Sequence, residues 1–193
     1  SLFPKTADQA DPQAVWRASA AAGGGCIGDT GYHEIYLVET LVGSPVRYVE
    51  ARVQTKFFDV EVDDVALLLL EHQNGAVSTV STSWGVAGGG AGETGNLCEV
   101  HGRGDSLRVV ARGRELHRFE RAARQWHQVE LPGLDPATLG RAGHAAYFKD
   151  TFSALARGED LRVDGKAARH NLAIIEAARR ASQQRRAVDV DTL

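Results

Sequence analysis

Val65-Ala66-Leu67-Leu68-Leu69-Leu70-Glu71-His72, the turn Gln73-Asn74-Gly75 and the run Ala76-Val77-Ser78-Thr79-Val80-Ser81-Thr82-Ser83-Trp84 decide the fold of this chain. Asn-Gly is the strongest short hairpin signal, because both residues tolerate the positive φ that a tight turn between twisted strands requires. Val77, Val80 and the serines and threonines between them suit a pleated surface. An antiparallel hairpin thus stands near the middle of the chain.

Upstream, Val46-Arg47-Tyr48-Val49-Glu50-Ala51-Arg52-Val53 alternates apolar and polar residues, as a strand with one solvated face does. Before it, Ile35, Leu37, Val38, Leu41 and Val42 recur near helical spacing, and Gly43 followed by Pro45 supplies a stop. That spacing predicts a helix over residues 28–42. Residues 1–22, small, polar and alanine-rich with Pro4 and Pro12, read as an extended lead-in anchored by Trp16. Downstream, residues 96–102, 107–111, 115–119 and 126–131 read as short strands divided by glycine or charged turns. Two helices close the chain: residues 143–156, ending at Gly158, and residues 165–182, with Leu172, Ile175, Ala178 and Ser182 along one stripe. A helix, a run of antiparallel strands and two helices predict an α+β domain, a large, mostly antiparallel open sheet with helices on one face. The other face has to meet a substrate, a partner subunit or a further domain.

A chain of 193 residues fits one domain of generous size. With 43% hydrophobic and 24% charged residues it can build a core without disulfides or metals. A formal charge of -3 and a pI near 6.2 argue against nucleic acid or an anionic membrane as partner. Cys26 and Cys98 are too few for a disulfide framework and form no CxxC, so both are expected as reduced thiols in a cytoplasmic protein. The longest apolar run, residues 65–70, is far too short to span a bilayer. The chain starts at Ser1 and holds no methionine, so it is expected to be a mature form or a fragment of a longer protein.

The chemistry gathers in Gly23-Gly24-Gly25-Cys26-Ile27-Gly28-Asp29-Thr30-Gly31-Tyr32-His33. If the segment after Gly28 is helical, Asp29 and His33 are i and i+4 neighbours with Cβ atoms about 5–6 Å apart. A carboxylate beside an imidazole holds a proton-transfer group in one tautomer and tunes it near neutrality. Glycines let backbone approach a flat ligand, because no Cβ stands in the way. The plainer reading, a glycine loop into a helix with Asp29 favouring its positive end, stays open from these residues.

Other motifs fail on context. Gly90-Ala91-Gly92-Glu93-Thr94-Gly95 has the G-x-G-x-x-G spacing, but a dinucleotide loop needs a helix after it, and Leu97-Cys98-Glu99-Val100 reads as strand. Arg103-Gly104-Asp105 reads as a turn. Cys26, Asp29 and His33 lack a fourth plausible metal ligand at short spacing, so no metal is expected. His33-Glu34 begins like a zinc-protease helix, yet Leu37 stands where the second histidine belongs. Arg179, Arg180, Arg185 and Arg186 read as cations near a helix C-terminus.

The order of motifs resembles the C-terminal domain of the Gfo/Idh/MocA oxidoreductases. Trp16-Arg17, then Gly23 to His33, then Leu41-Val42-Gly43-Ser44-Pro45-Val46 follow that family's W-R, GGG-x-L-x-D-x-G-x-H and L-x-G-x-P-V. Asn74-Gly75-Ala76 with Ser83-Trp84, Glu99-Val100-His101-Gly102-Arg103-Gly104-Asp105-Ser106-Leu107, Phe148-Lys149-Asp150-Thr151-Phe152 with Gly158, and residues 173–182 continue the match in order. The resemblance implies one substrate-binding and oligomerisation domain over residues 1–193, following a Rossmann domain that this chain lacks. It implies hydride transfer between NAD or NADP, bound mainly by that missing domain, and a carbinol carbon of a sugar, polyol or related small molecule. Asp29 and His33 are then the catalytic pair, and the open sheet face is where copies pair into dimers.

Three departures matter. The Rossmann half and its lysine are absent; Tyr36 stands where the family often carries an acid; Asp105 replaces a turn glycine. In the family context Tyr32, Trp84 and His144 are candidate substrate contacts, and Gly24 and Gly25 candidate approaches to the nicotinamide. Each has a plainer reading: a packed tyrosine, a core tryptophan, a surface histidine, a hinge. Lys149 and Arg169 read as a solvated helix face before they read as anion ligands. Two other classes compete: a non-catalytic sugar-binding or dimerisation module with Asp29 and His33 merely inherited, and a metal-dependent lyase or isomerase.

Overall fold

A computed structural model of the chain describes residues 16–85, 97–110, 115–132 and 143–193. Gly90 to Gly95 lie outside them. The chain divides into two compact units, Ser1–Val86 with Gly165–Leu193, and Ala87–Asp164.

In the first unit a π-helical turn, Ile27–Gly31, runs into helix α1, Tyr32–Val42. Gly43 ends it at φ 66°, a left-handed conformation that favours glycine, and its N–H donates to the Glu39 carbonyl at 2.8 Å. Strands β1 (Val46–Gln54), β2 (Val65–His72) and β3 (Val77–Ser83) then form an antiparallel meander. The β2–β3 hairpin forms where the sequence predicts it, but of the two turn residues only Gly75 takes a positive φ. Gly75 sits at φ 83°, and the Asn74 side chain accepts from the Ala76 N–H at 3.0 Å. Along β2, Ala66, Leu68, Leu70 and His72 are buried while Leu67 and Leu69 are exposed. The continuous apolar run therefore alternates in space and leaves one sheet face bare.

Between β1 and β2 the loop is organised by a buried carboxylate, Asp64, which accepts from the backbone N–H groups of Lys56, Phe57 and Phe58 at 2.7–2.8 Å. His72 is buried as well. A carbonyl can only accept, so its Nδ1–H donates to the Ser44 carbonyl and its Nε2 accepts from the Ser78 hydroxyl, both at 2.8 Å.

Helix α3, Gly165–Gln184, packs across β1 and buries Asn171, Ile174, Ile175, Ala177, Ala178 and Ala181. Leu172, expected on this stripe, is 59% exposed. The helix is rotated so that Asn171 takes the core position, where its Nδ2 donates to the Tyr32 carbonyl at 2.9 Å. Ser182 does reach the sheet, accepting from the Val53 N–H at 2.9 Å. A short strand β8, Val188–Asp189, adds to β1, giving the sheet order β3-β2-β1-β8. Two residues are too few to carry a strand pattern, and the sequence shows none there.

The second unit is a four-stranded antiparallel meander, β4 (Cys98–His101), β5 (Ser106–Val110), β6 (Glu115–Glu120) and β7 (Gln125–Val129), followed by helix α2, Gly143–Arg157. The α+β class stands, and among the described residues the strands are hydrogen-bonded as two four-stranded sheets. No helix among the described residues is long and apolar enough to cross a membrane.

Candidate functional site

The site is built by a doubled-back segment at the head of the first unit. After the 3-10 turn Trp16–Ala18 the chain reverses, and Gly24 and Gly25 donate their N–H groups to the carbonyls of Ser19 (2.9 Å) and Arg17 (3.0 Å). A Cβ at Gly24 would overlap the backbone carbonyls of Trp16 and Arg17, and one at Gly25, whose φ is +116°, would overlap the Asp63 carboxylate. The glycines are thus required by close approach of the chain to itself. That approach places the Arg17 guanidinium on Asp29: Nε donates to Oδ2 at 2.9 Å, with the two side chains 29% and 22% exposed.

Asp29 lies in the π turn, a local unwinding that tends to mark functional positions in helices. The turn is held at its start by Asp63, whose backbone carbonyl accepts from the Cys26 N–H and whose Oδ2 accepts from the Ile27 N–H, both at 2.8 Å. Burial pushes the Asp63 carboxyl above its ordinary range, against the Ile27 N–H and the Arg179 guanidinium 3.9 Å away. Gly31 presses on β3, where a Cβ would stand 3.2 Å from the Thr82 methyl. Thr82 also ties the two ends of the turn together. It is bonded to the Cys26 thiol at 3.6 Å and to the Glu34 carboxyl. Burial drives the Cys26 thiol up to about 12, further than the Thr82 hydrogen bond can offset. Cys26 is therefore an inert packed thiol and not a nucleophile. Burial also raises Glu34, whose Oε2 is buried without a partner.

Around this turn the structure gathers most of the residues singled out from sequence. His33 is exposed, its ring edge-on to Tyr32 with centroids 5.7 Å apart. The hydrogen bond of the Asp29 carboxylate goes to Arg17, not to His33. Trp84 donates its indole N–H to the Thr30 hydroxyl at 3.2 Å, which ties the end of β3 to the turn. Tyr32 is half-buried against the core. His144 stands in the first turn of α2, exposed, in the other unit, and Lys149 and Arg169 lie exposed on α2 and α3. Among the described residues no group of three or more His, Cys, Asp or Glu side chains could hold a metal ion.

Sequence reasoning missed Arg17 and Asp63 as partners of the site. Trp16-Arg17 is visible as a motif, but a separation of twelve residues from Asp29 carries no geometry until the glycine turn folds. Asp63 and Asp64 belong to the stretch between β1 and β2, where no local spacing signals that both carboxylates turn inward.

Residues 3–108, more than half of the chain, match the GFO/IDH/MocA C-terminal domain. The structure is similar to an NAD-binding oxidoreductase from Klebsiella pneumoniae, with a TM-score of 0.75 and 23% identity over 91% of this chain and 53% of that one. It is similar to an oxidoreductase from Agrobacterium radiobacter solved with NAD+, L-tartaric acid and magnesium, with a TM-score of 0.72 and 22% identity over 86% and 49%. A third likeness is to the WlbA dehydrogenase from Bordetella pertussis solved with NADH and UDP-GlcNAcA, with a TM-score of 0.73 and 20% identity over 95% and 51%. At such identities the likeness is one of fold. The chain spans about half the length of these structures. No curated protein matches it.

Proposed function

This chain belongs to the GFO/IDH/MocA C-terminal domain family, and on that premise we propose that it is the substrate and assembly half of an oxidoreductase acting on a carbinol of a sugar, polyol or related small molecule. NAD or NADP, held mainly by a preceding dinucleotide-binding domain, supplies the hydride acceptor or donor. His33, exposed at the start of α1, takes the hydroxyl proton as the carbinol is oxidised and returns it in reduction. Asp29 orients the reacting groups. Tyr32 and Trp84 border the substrate. Gly24 and Gly25 serve the nicotinamide side through the shape of their turn, since their Cβ sides are filled by the chain itself. The bare face of β2, with Leu67 and Leu69 exposed, is where copies pair, most simply as a homodimer.

One observation carries this reading. The π turn presents Asp29 with Oδ2 held by Arg17 and Oδ1 without a partner among the described residues, four residues before an exposed His33. The test is His33→Ala and Asp29→Asn in the full-length protein, assayed with both dinucleotides against a panel of sugars and polyols. Each is expected to lower kcat about 10²- to 10⁴-fold, with sedimentation unchanged from a wild type that runs as a dimer or larger. Unchanged turnover in both variants favours a non-catalytic module, and a monomeric wild type removes the pairing of the sheet face.

A further inference from the structure

We infer that Arg17 is a positioning residue for Asp29, and that the Gly24-Gly25 turn is built to seat it; this rests on the reading of Asp29 as a group that meets substrate. Three hydrogen bonds close a circuit through three residues. The Arg17 carbonyl accepts from the Gly25 N–H at 3.0 Å, the Gly25 carbonyl accepts from the Asp29 N–H at 3.0 Å, and the Asp29 Oδ2 accepts from the Arg17 Nε at 2.9 Å. Backbone therefore fixes the distance that the side-chain bond has to span. The guanidinium carbon also stands 4.8 Å from the centre of the Trp16 ring, which limits the swing of the arginine on its own side. Asp29 cannot rotate its carboxylate without breaking the circuit.

The consequence is a division of labour between the two carboxylate oxygens. Oδ2 is occupied by the chain. Oδ1 has no partner among the described residues and remains to accept from an imidazole N–H or a substrate hydroxyl. Stability is not the whole reason for such a pair, because both side chains are only part-buried and a partly solvated ion pair contributes modestly to folding. Nor does charge alone explain it. A planar guanidinium fixes the direction of its N–H groups, whereas a lysine ammonium would supply the charge without the direction. The close approach of Gly24 to the Trp16 and Arg17 carbonyls gains its purpose here: a side chain at position 24 would push the 3-10 turn away and lift Arg17 off the carboxylate.

The test is a double-mutant cycle in the full-length protein, using the alcohol of the panel that turns over fastest. Arg17→Met is expected to lower kcat about 10- to 100-fold, the loss of one hydrogen bond to a charged group, with KM changed less than about threefold. Arg17→Lys is expected to keep the wild-type melting temperature and fall between wild type and Arg17→Met, so a folding defect in the latter does not decide the matter. Millimolar guanidinium should restore part of the activity of Arg17→Ala, which a purely structural role would not allow. In the Asp29→Asn background, Arg17→Met should cost less than about threefold further, because Arg17 acts through the carboxylate. A full additional loss in that background overturns the inference, as does wild-type kcat in Arg17→Met while Asp29→Asn is inactive; in both cases the catalytic reading of Asp29 survives. If Asp29→Asn turns over normally, that reading fails first and the role of Arg17 falls with it.

Discussion

The two units of this chain handle polar groups in opposite ways. In the first, Asp64, His72, Thr82 and Asn171 are all buried, each makes at least one hydrogen bond, and they stitch loops and helices to the sheet. The Asn171 Oδ1 alone among their polar side-chain atoms is left without a partner among the described residues. In the second, the ion pairs sit at the surface: Glu99 with Arg108, Asp105 with Arg118, Glu115 with His117. Ala154 is the one buried apolar side chain of that unit among the described residues, while Phe148, Phe152 and Leu155 stand exposed. A buried polar group holds its partners to one geometry, because losing the bond leaves an unpaid desolvation. An exposed pair has water as an alternative. The candidate site lies where the first kind of bonding prevails, and a proton-transfer site needs that rigidity.

The largest effect is expected from Asp64→Ala. It orphans three backbone N–H groups and is expected to destabilise the chain by about 3 kcal/mol or more, read by urea unfolding. A cost under about 1 kcal/mol would mean that the buried carboxylate does not order the β1–β2 loop.

A pH-dependent effect is expected from Glu34→Gln. Burial raises the folded Glu34 carboxyl above its ordinary 4.5, so the folded state holds that proton more tightly than the unfolded state does. The contribution of this group to stability is therefore full below 4.5 and is lost as pH rises through the folded value. Glutamine stays neutral throughout. Its melting temperature relative to wild type should climb as pH is raised from 4.5 towards 8, and a constant difference would refute the assignment.

The smallest effect is expected in the second unit. Arg108→Gln removes a surface pair with Glu99 and the stacking of Arg108 over Trp126, whose centroid is 4.2 Å away. The cost should lie within about 1 kcal/mol and shrink in high salt. A penalty as large as that of Asp64→Ala would erase the distinction between the units.

Much of the fold could be read before any coordinates. Asn74-Gly75 marked the hairpin, Gly43 marked the end of α1, and the alternation of residues 46–53 marked β1, since each signal is local and set by covalent geometry. The α3 stripe was legible in period but not in phase: Ile175 and Ala178 are buried as expected, while Leu172 is exposed and Asn171 holds the core position. Periodicity gives the width of an apolar face, and packing against β1 chooses its rotation. Asp29 and His33 were visible as a pair of suitable chemistry, whereas Trp84 was a candidate substrate contact only through the family resemblance, and its place beside the turn came from the fold.

What sequence alone determined is therefore the set of elements, their class and the residue types from which a site could be made. Tertiary structure decided which of these meet. It joined Arg17 to Asp29 across a glycine turn, tied Cys26 to Thr82 and thereby to Glu34, unwound the helix start into a π turn, and divided the strands into two sheets. Short-range preferences are written in a few neighbouring dihedrals. Long-range pairings depend on the balance of burial and hydrogen bonding over the whole chain, which no local spacing records.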